Sequence, residues 1–230
     1  MARESATDRV HRTLRDAILG GELKSGSQHS IYQLAERLDV SRTPVRDAVL
    51  RLADAGLLTI ERNRGIRIRG ISVDGIRDIF ESRILLEVPA VAAAARSAGP
   101  ELDAELDRLL RLLVDSADAG DAAAFGAHDR EIHRALLAAA GNERVVSIVE
   151  SLRDSTQVFG ASTVGRSRSM HEVRNEHVPI VEAVRCRDAA AAAAGMRSHL
   201  IATGVLLMQQ VAQSTGENAP ATWTPRVSAV

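Results

Sequence analysis

Val40-Ser41-Arg42-Thr43-Pro44-Val45-Arg46-Asp47-Ala48 decides how the first third of this chain folds. Ser41 or Thr43 can cap a helix, because a short hydroxyl side chain accepts an otherwise unpaired backbone N–H. Pro44 falls in the first turn, where a missing N–H costs nothing. Val45, Ala48, Val49 and Leu52 then recur on one side, which carries the helix to Ala55, and Gly56 is a natural stop. Arg42 and Arg46 lie four apart and project together from another face.

Working outward, Leu38-Asp39-Val40 reads as a tight corner before this helix. Ser30 can cap a shorter helix through Arg37, with Leu34 and Leu38 facing inward. A turn at Lys24-Ser25-Gly26-Ser27 precedes it. Thr7 to Leu19 is a first helix, with Val10, Leu14, Ala17 and Ile18 at helical spacing and Gly20-Gly21 ending it. On the other side come two β-type runs, Leu57–Glu61 and Gly65–Arg69, joined by a turn at Asn63-Arg64-Gly65. Three helices and a hairpin, in that order, make a winged helix-turn-helix.

That fold places its recognition helix in the major groove, with its N-terminal residues at base edges. Arg42 and Arg46 can each grip guanine O6 and N7. Ser41 and Thr43 suit phosphate oxygens, as do helix N-terminal amides. The wing adds Arg62, Arg64, Arg67 and Arg69, and Gly65 at its tip allows close backbone approach to the minor groove. Residues 1–70 carry 13 Arg and Lys against 9 Asp and Glu, and residues 71–230 carry 16 against 21. A basic module followed by an acidic one suits a polyanion partner for the first alone. Basic helices occur in many small domains; the ordered combination with a basic wing is what points to double-stranded operator DNA.

These residues resemble the N-terminal domain of the GntR family of transcription regulators. The likeness is carried by Leu14, Ile18, Gly21, Leu34-Ala35, Val40 through Ala48, Leu52, Gly56-Leu57 and Arg64-Gly65. It implies that Arg42 and Arg46 read bases while Ser41, Thr43 and Gly65 help hold the site. Two positions depart from the family pattern. Ser25-Gly26 stands where Pro-Gly is usual, and Tyr32 stands where some relatives carry arginine, its hydroxyl still able to reach a phosphate.

From Ser72 onward the pattern predicts only helices, roughly Val73–Ser97, Glu101–Ala119, Asp121–Ala139, Asn142–Ala161, Ser169–Arg185 and Asp188–Val211. Apolar residues make up 45% of the chain and aromatics 2%, a balance that favours helices over sheets. The expected fold is therefore mainly α: a winged helix-turn-helix at 1–70, an antiparallel all-α bundle at 71–212 and a disordered tail at 213–230. A single cysteine, a polar start and no apolar run long enough to span a bilayer predict a soluble cytoplasmic protein with no membrane partner.

Four residues of the bundle break its apolar stripes in the same way. Asp129 and His133 sit amid Phe125, Ile132, Leu136 and Ala140; His177 amid Met170, Val173, Val181 and Val184; His199 with Met196, Thr203 and Leu206. Each alone could be a hydrogen-bonded core residue. Together they suit a divalent metal, with Zn first and Ni, Mn or Fe possible for one Asp and three His. The stretches around Asp129, His133, Glu176-His177 and His199-Leu200 resemble the FCD effector domain of the FadR subfamily, and six helices suggest its VanR-like branch. The resemblance implies these four residues as the metal ligands. Arg83 and Glu87 lie at the centre of an inner face; either they form an ion pair or Arg83 grips an effector carboxylate.

The reading that results is a homodimeric, ligand-responsive regulator, with repression favoured, whose operator binding responds to a small organic acid at the metal. A direct metal-ion sensor and a metal-dependent hydrolase are the alternatives. The hydrolase lacks an identifiable general base beside the four ligands.

Overall fold

A computed structural model describes residues 5–19, 22–24, 26–62, 64–69, 72–158 and 163–226. The expected roles of Gly20-Gly21, Ser25 and Asn63, and of the last residues of the helix anticipated to Ala161, lie outside them. The chain divides into two compact units: residues 1–72 with 153–161, and residues 73–152 with 162–230.

The first unit contains α1 (Ala6–Leu19), β1 (Gln28–His29), α2 (Ile31–Arg37), α3 (Arg42–Asp54), β2 (Leu58–Glu61) and β3 (Gly65–Ile68). Ser30 opens α2 with a capping box: its hydroxyl accepts the Gln33 N–H at 3.1 Å, and Gln33 Oε1 accepts the Ser30 N–H at 2.9 Å. The corner between α2 and α3 turns on Asp39, whose φ of 50° a short polar side chain tolerates. Val10, Leu14, Ile18, Leu34, Val45, Val49, Leu52, Leu57, Ile66 and Ile68 form one core. Each such side chain contributes roughly 1.5–3 kcal/mol by leaving water.

The expected hairpin is part of a three-stranded antiparallel sheet, ordered β1-β3-β2. β1 is the strand that periodicity did not reveal, because two residues carry no alternation. It explains Gly65 differently from an approach to DNA. At φ 88°, a Cβ on Gly65 would lie 2.3 Å from the His29 carbonyl oxygen, so close pairing with β1 requires glycine there.

Six helices follow among the described residues: α4 (Val73–Ser97), α5 (Pro100–Asp118), α6 (Ala122–Ala139), α7 (Glu143–Val158), α8 (Met170–Arg185) and α9 (Ala189–Thr215). Asp121 caps α6, Asp188 caps α9, and Ser169 and Glu172 form a capping box on α8. α4 packs along α9, α5 on α6, and α8 on α9. Gly195 permits one of these approaches; a Cβ there would lie 3.0 Å from Ile180 Cγ1.

Two expectations change. α9, 27 residues long, contains an 18-residue stretch of mean hydropathy 1.3 and is long and apolar enough by length and composition to cross a membrane. Its Met196, Leu200, Leu207, Met208 and Val211 are core residues, and buried His199 sits among them. The segment after α9, expected to be disordered, lies against the bundle as far as Arg226. Glu217 Oε2 accepts the Val73 N–H at 3.0 Å, Glu81 Oε1 accepts the Arg226 N–H at 2.9 Å, and the Trp223 ring covers Gly204.

Candidate nucleic-acid interface and metal centre

The start of α3 presents Ser41, Arg42, Thr43 and Arg46 to solvent, as reading DNA requires. Tyr32, in the first turn of α2, is 57% exposed, and its ring lies under the Arg42 guanidinium, 5.4 Å from centroid to Cζ. A cation–π contact of this kind is worth about 0.5–1 kcal/mol at an exposed site. Tyr32 thus stands beside Arg42 and steadies it, a pairing that its sequence position did not suggest.

On the wing, Arg62 and Arg64 are exposed. Arg67 is committed to its own sheet. Its Nε donates to Glu61 Oε1 at 2.6 Å and its Nη1 to the Gly26 carbonyl at 3.0 Å. The hydrogen bond from Arg67 holds the Glu61 carboxyl below its ordinary range. Of the wing arginines assigned to DNA from the sequence, Arg64 stands outward and Arg67 does not stand apart from its neighbours.

In the second unit three helices bring His133, His177 and His199 together. All three are buried, and their candidate ligand atoms lie within 4.8 Å of one another. Ring centroids are 4.5–5.4 Å apart. Each Nδ1 has a partner that only accepts. Glu87 Oε2 lies 2.6 Å from His133 Nδ1, the Val173 carbonyl 2.9 Å from His177 Nδ1, and Glu176 Oε2 2.8 Å from His199 Nδ1. A carboxylate or carbonyl there requires Nδ1–H, so a neutral ring carries its lone pair on Nε2.

The consequence is a convergence of donors. His133 Nε2 and His177 Nε2 are 3.3 Å apart, and Asp129 Oδ1 is 3.3 Å from His177 Nε2. Two lone pairs at that distance repel unless a proton or cation lies between them. Zn–N bonds of about 2.0–2.1 Å in a tetrahedron place neighbouring ligands about 3.3–3.4 Å apart. The residues present therefore fit a metal ion, and the orienting partners on Nδ1 are those that metal-bound imidazoles use.

Arg83 and Glu87 form the ion pair anticipated as one of two readings, Nε to Oε1 at 2.6 Å, with side chains 5% and 0% exposed. The sequence did not show that Glu87 also orients His133. Glu176 and Arg168 were missed as members of the site. Burial by itself would push Glu176 up, but hydrogen bonds from His199 and Arg168 outweigh it and hold the carboxyl below its usual range. His128 and His171 lie outside the cluster.

Known proteins share both units. The FCD domain family matches residues 78–202, and the bacterial regulatory proteins of the gntR family match residues 6–68. The Nta operon transcriptional regulator of Aminobacter aminovorans is 30% identical over 171 residues, 74% of this chain and 80% of its own length. The HTH-type transcriptional repressor GlaR of Escherichia coli is 25% identical over 208 residues, 87% of this chain and 94% of its own. Among solved structures, that of Lar, which controls expression of the Listeria monocytogenes agr system, superposes with a TM-score of 0.73 at 19% identity. The match covers 91% of this chain and 99% of that one, a likeness of fold.

Proposed function

The chain belongs to the GntR family of bacterial regulatory proteins and carries an FCD domain, and on that premise we propose a repressor whose hold on operator DNA is set by a small carboxylate-bearing effector at a divalent metal ion in the bundle. The family is one of DNA-binding transcription regulators, not enzymes, which removes the hydrolase alternative. Repression is supported by relatives such as GlaR and the gluconate operon repressor of Bacillus licheniformis. The six helices α4–α9 suit the VanR-like branch.

The observation that carries the metal reading is the convergence of imidazole Nε2 atoms whose Nδ1 atoms are already held by acceptors. Asp129, His133, His177 and His199 would hold the ion, and Zn suits the set best. When bound, the ion would supply positive charge that draws an effector carboxylate to the site. The protein's share is rigidity. Glu87 fixes one ring from α4, Glu176 fixes another from α8, and the Val173 carbonyl fixes the third. Arg83 takes the structural role of its two, holding Glu87 in place against His133.

In the winged unit, Arg42 and Arg46 read bases, with Ser41, Thr43 and Arg64 on phosphates. One recognition helix reads few base pairs, so genomic specificity requires a homodimer on a pseudo-palindromic operator, and the protein works in the cytoplasm with that DNA. Operator binding should be followed by fluorescence anisotropy across a panel of organic acids, with wild type and His177→Ala. An acid should release the wild type, while His177→Ala binds DNA and no longer responds. A His177→Ala protein that still responds would remove the metal from the sensing step. Release by Zn²⁺ with no acid present would make the ion itself the signal.

A further inference from the structure

The connection between α7 and α8 sends one charged side chain into the bundle. Arg168 is only 8% exposed at its side chain. Its Nη1 donates to both Glu176 oxygens, at 2.5 and 2.6 Å, and its Nη2 to Thr163 Oγ1 at 2.8 Å and Thr203 Oγ1 at 2.9 Å. Glu176 in turn accepts the Nδ1–H of His199. Arg168–Glu176–His199 therefore repeats, on another side of the cluster, the order Arg83–Glu87–His133.

The two relays differ in what they are built on. Arg83 and Glu87 are one turn apart on α4, so helix geometry sets their distance. Arg168 belongs to a turn. The Thr163 carbonyl accepts the N–H groups of Arg166, Ser167 and Arg168 at 3.3, 3.0 and 2.9 Å, and the Arg168 carbonyl accepts that of Gly165 at 2.9 Å. Gly165, Arg166 and Ser167 are exposed. With little apolar burial of its own, such a turn takes its stability from the few polar contacts that tie it down.

We propose that Arg168 is a positioning residue for the metal centre, and that through it the order of the 163–168 turn depends on the centre being filled. This rests on the metal reading above. An ion on His199 fixes the ring and polarises its Nδ1–H, which strengthens the bond to Glu176. Glu176 then holds Arg168, and Arg168 holds the turn. Linkage makes the coupling reciprocal: loosening Arg168 must weaken the metal by the factor by which the metal tightens Arg168.

The test uses the full chain and Zn²⁺ alone, with affinity read by competition against a chromophoric chelator. Arg168→Gln should raise the Zn²⁺ Kd roughly 10- to 100-fold, the range for partners of metal-bound imidazoles. Arg168→Lys should restore part of it, since an ammonium can serve Glu176 without reaching both threonines. Hydrogen exchange of the 165–168 amides should slow on adding Zn²⁺ to wild type, and should stay fast in Arg168→Gln with or without Zn²⁺. A folded Arg168→Gln with wild-type affinity would overturn the proposal, as would exchange in wild type that ignores Zn²⁺. If Arg168→Gln does not fold, Thr203→Val carries the test. It removes one acceptor from Arg168 and should weaken Zn²⁺ in the same direction by less; unchanged affinity and exchange would count against the proposal. A wild type that binds no Zn²⁺ overturns the metal reading together with this one, whereas equal binding by wild type and Arg168→Gln overturns this one alone.

Discussion

Arg42, Arg64 and Arg67 carry the same charge in the same unit, yet their neighbours give them different work. Arg42 is exposed on the recognition helix and steadied by Tyr32. Arg42→Ala and Arg46→Ala should each weaken specific operator binding by about 1–3 kcal/mol and relax base preference, the loss expected for a bidentate guanine contact. Arg64→Ala should instead lower the slope of affinity against salt by about one, as for a lost phosphate contact. Arg67 is tied to Glu61 and Gly26, so Arg67→Ala should change the salt slope less than Arg64→Ala does. Operator titrations at several salt concentrations, on matched and mismatched DNA, read all of these effects. Arg42, Arg46 and the three histidines were legible because helical spacing alone places them on a face. The Arg67–Glu61 pair was not, because it joins diagonal positions across two strands. Glu176 escaped because it lies one residue from His177, off the stripe. Arg168 escaped because the path of a connecting turn is not written in periodicity.

Helices whose caps are spelled in sequence were found to within a few residues: the Ser30 box on α2, Asp121 on α6 and the Ser169 box on α8. β1 was invisible, since pairing with β3 rather than any alternation makes it a strand. Gly65 shows the cost of that pairing. Gly65→Ala combines a left-handed φ with a collision against His29 and should destabilise the winged unit by about 1–3 kcal/mol, read by urea unfolding. A second element-scale effect concerns pH. Asp103 on α5 accepts from Arg187, in the turn after α8, at 2.9 and 2.7 Å, and this hydrogen bonding holds its carboxyl below the ordinary range. A folded-state pKa below the unfolded value of about 3.9 gives stability that is present above it and lost as pH falls through the folded value. The pair is exposed enough that the effect should stay under about 1 kcal/mol. Asp103→Asn should therefore melt slightly below wild type at neutral pH, and the gap should close in acid.

At the scale of the whole molecule, composition and charge separate a basic N-terminal stretch from an acidic helical one, and the chain clusters into two units, residues 1–72 with 153–161 and residues 73–152 with 162–230. The end of α7 counts with the first unit, and the last described residues strap α4 to α9 through Glu217, Trp223 and Arg226. Neither was legible, because both depend on contacts between residues far apart in the sequence. Two units imply that unfolding need not be a single transition. A chelator should lower the transition of the bundle and leave that of the winged unit in place, by about 2.7 kcal/mol if the metal is normally present at a hundred times its Kd. All of this turns on whether the imidazole cluster holds an ion. Elemental analysis of freshly purified, chelator-free full chain, beside His133→Ala, His177→Ala and His199→Ala, measures that directly. The account predicts about one divalent ion per wild-type chain and a clear loss in each variant. Wild-type protein with no bound ion would contradict it, and would return the three histidines and Asp129 to the role of a hydrogen-bonded core.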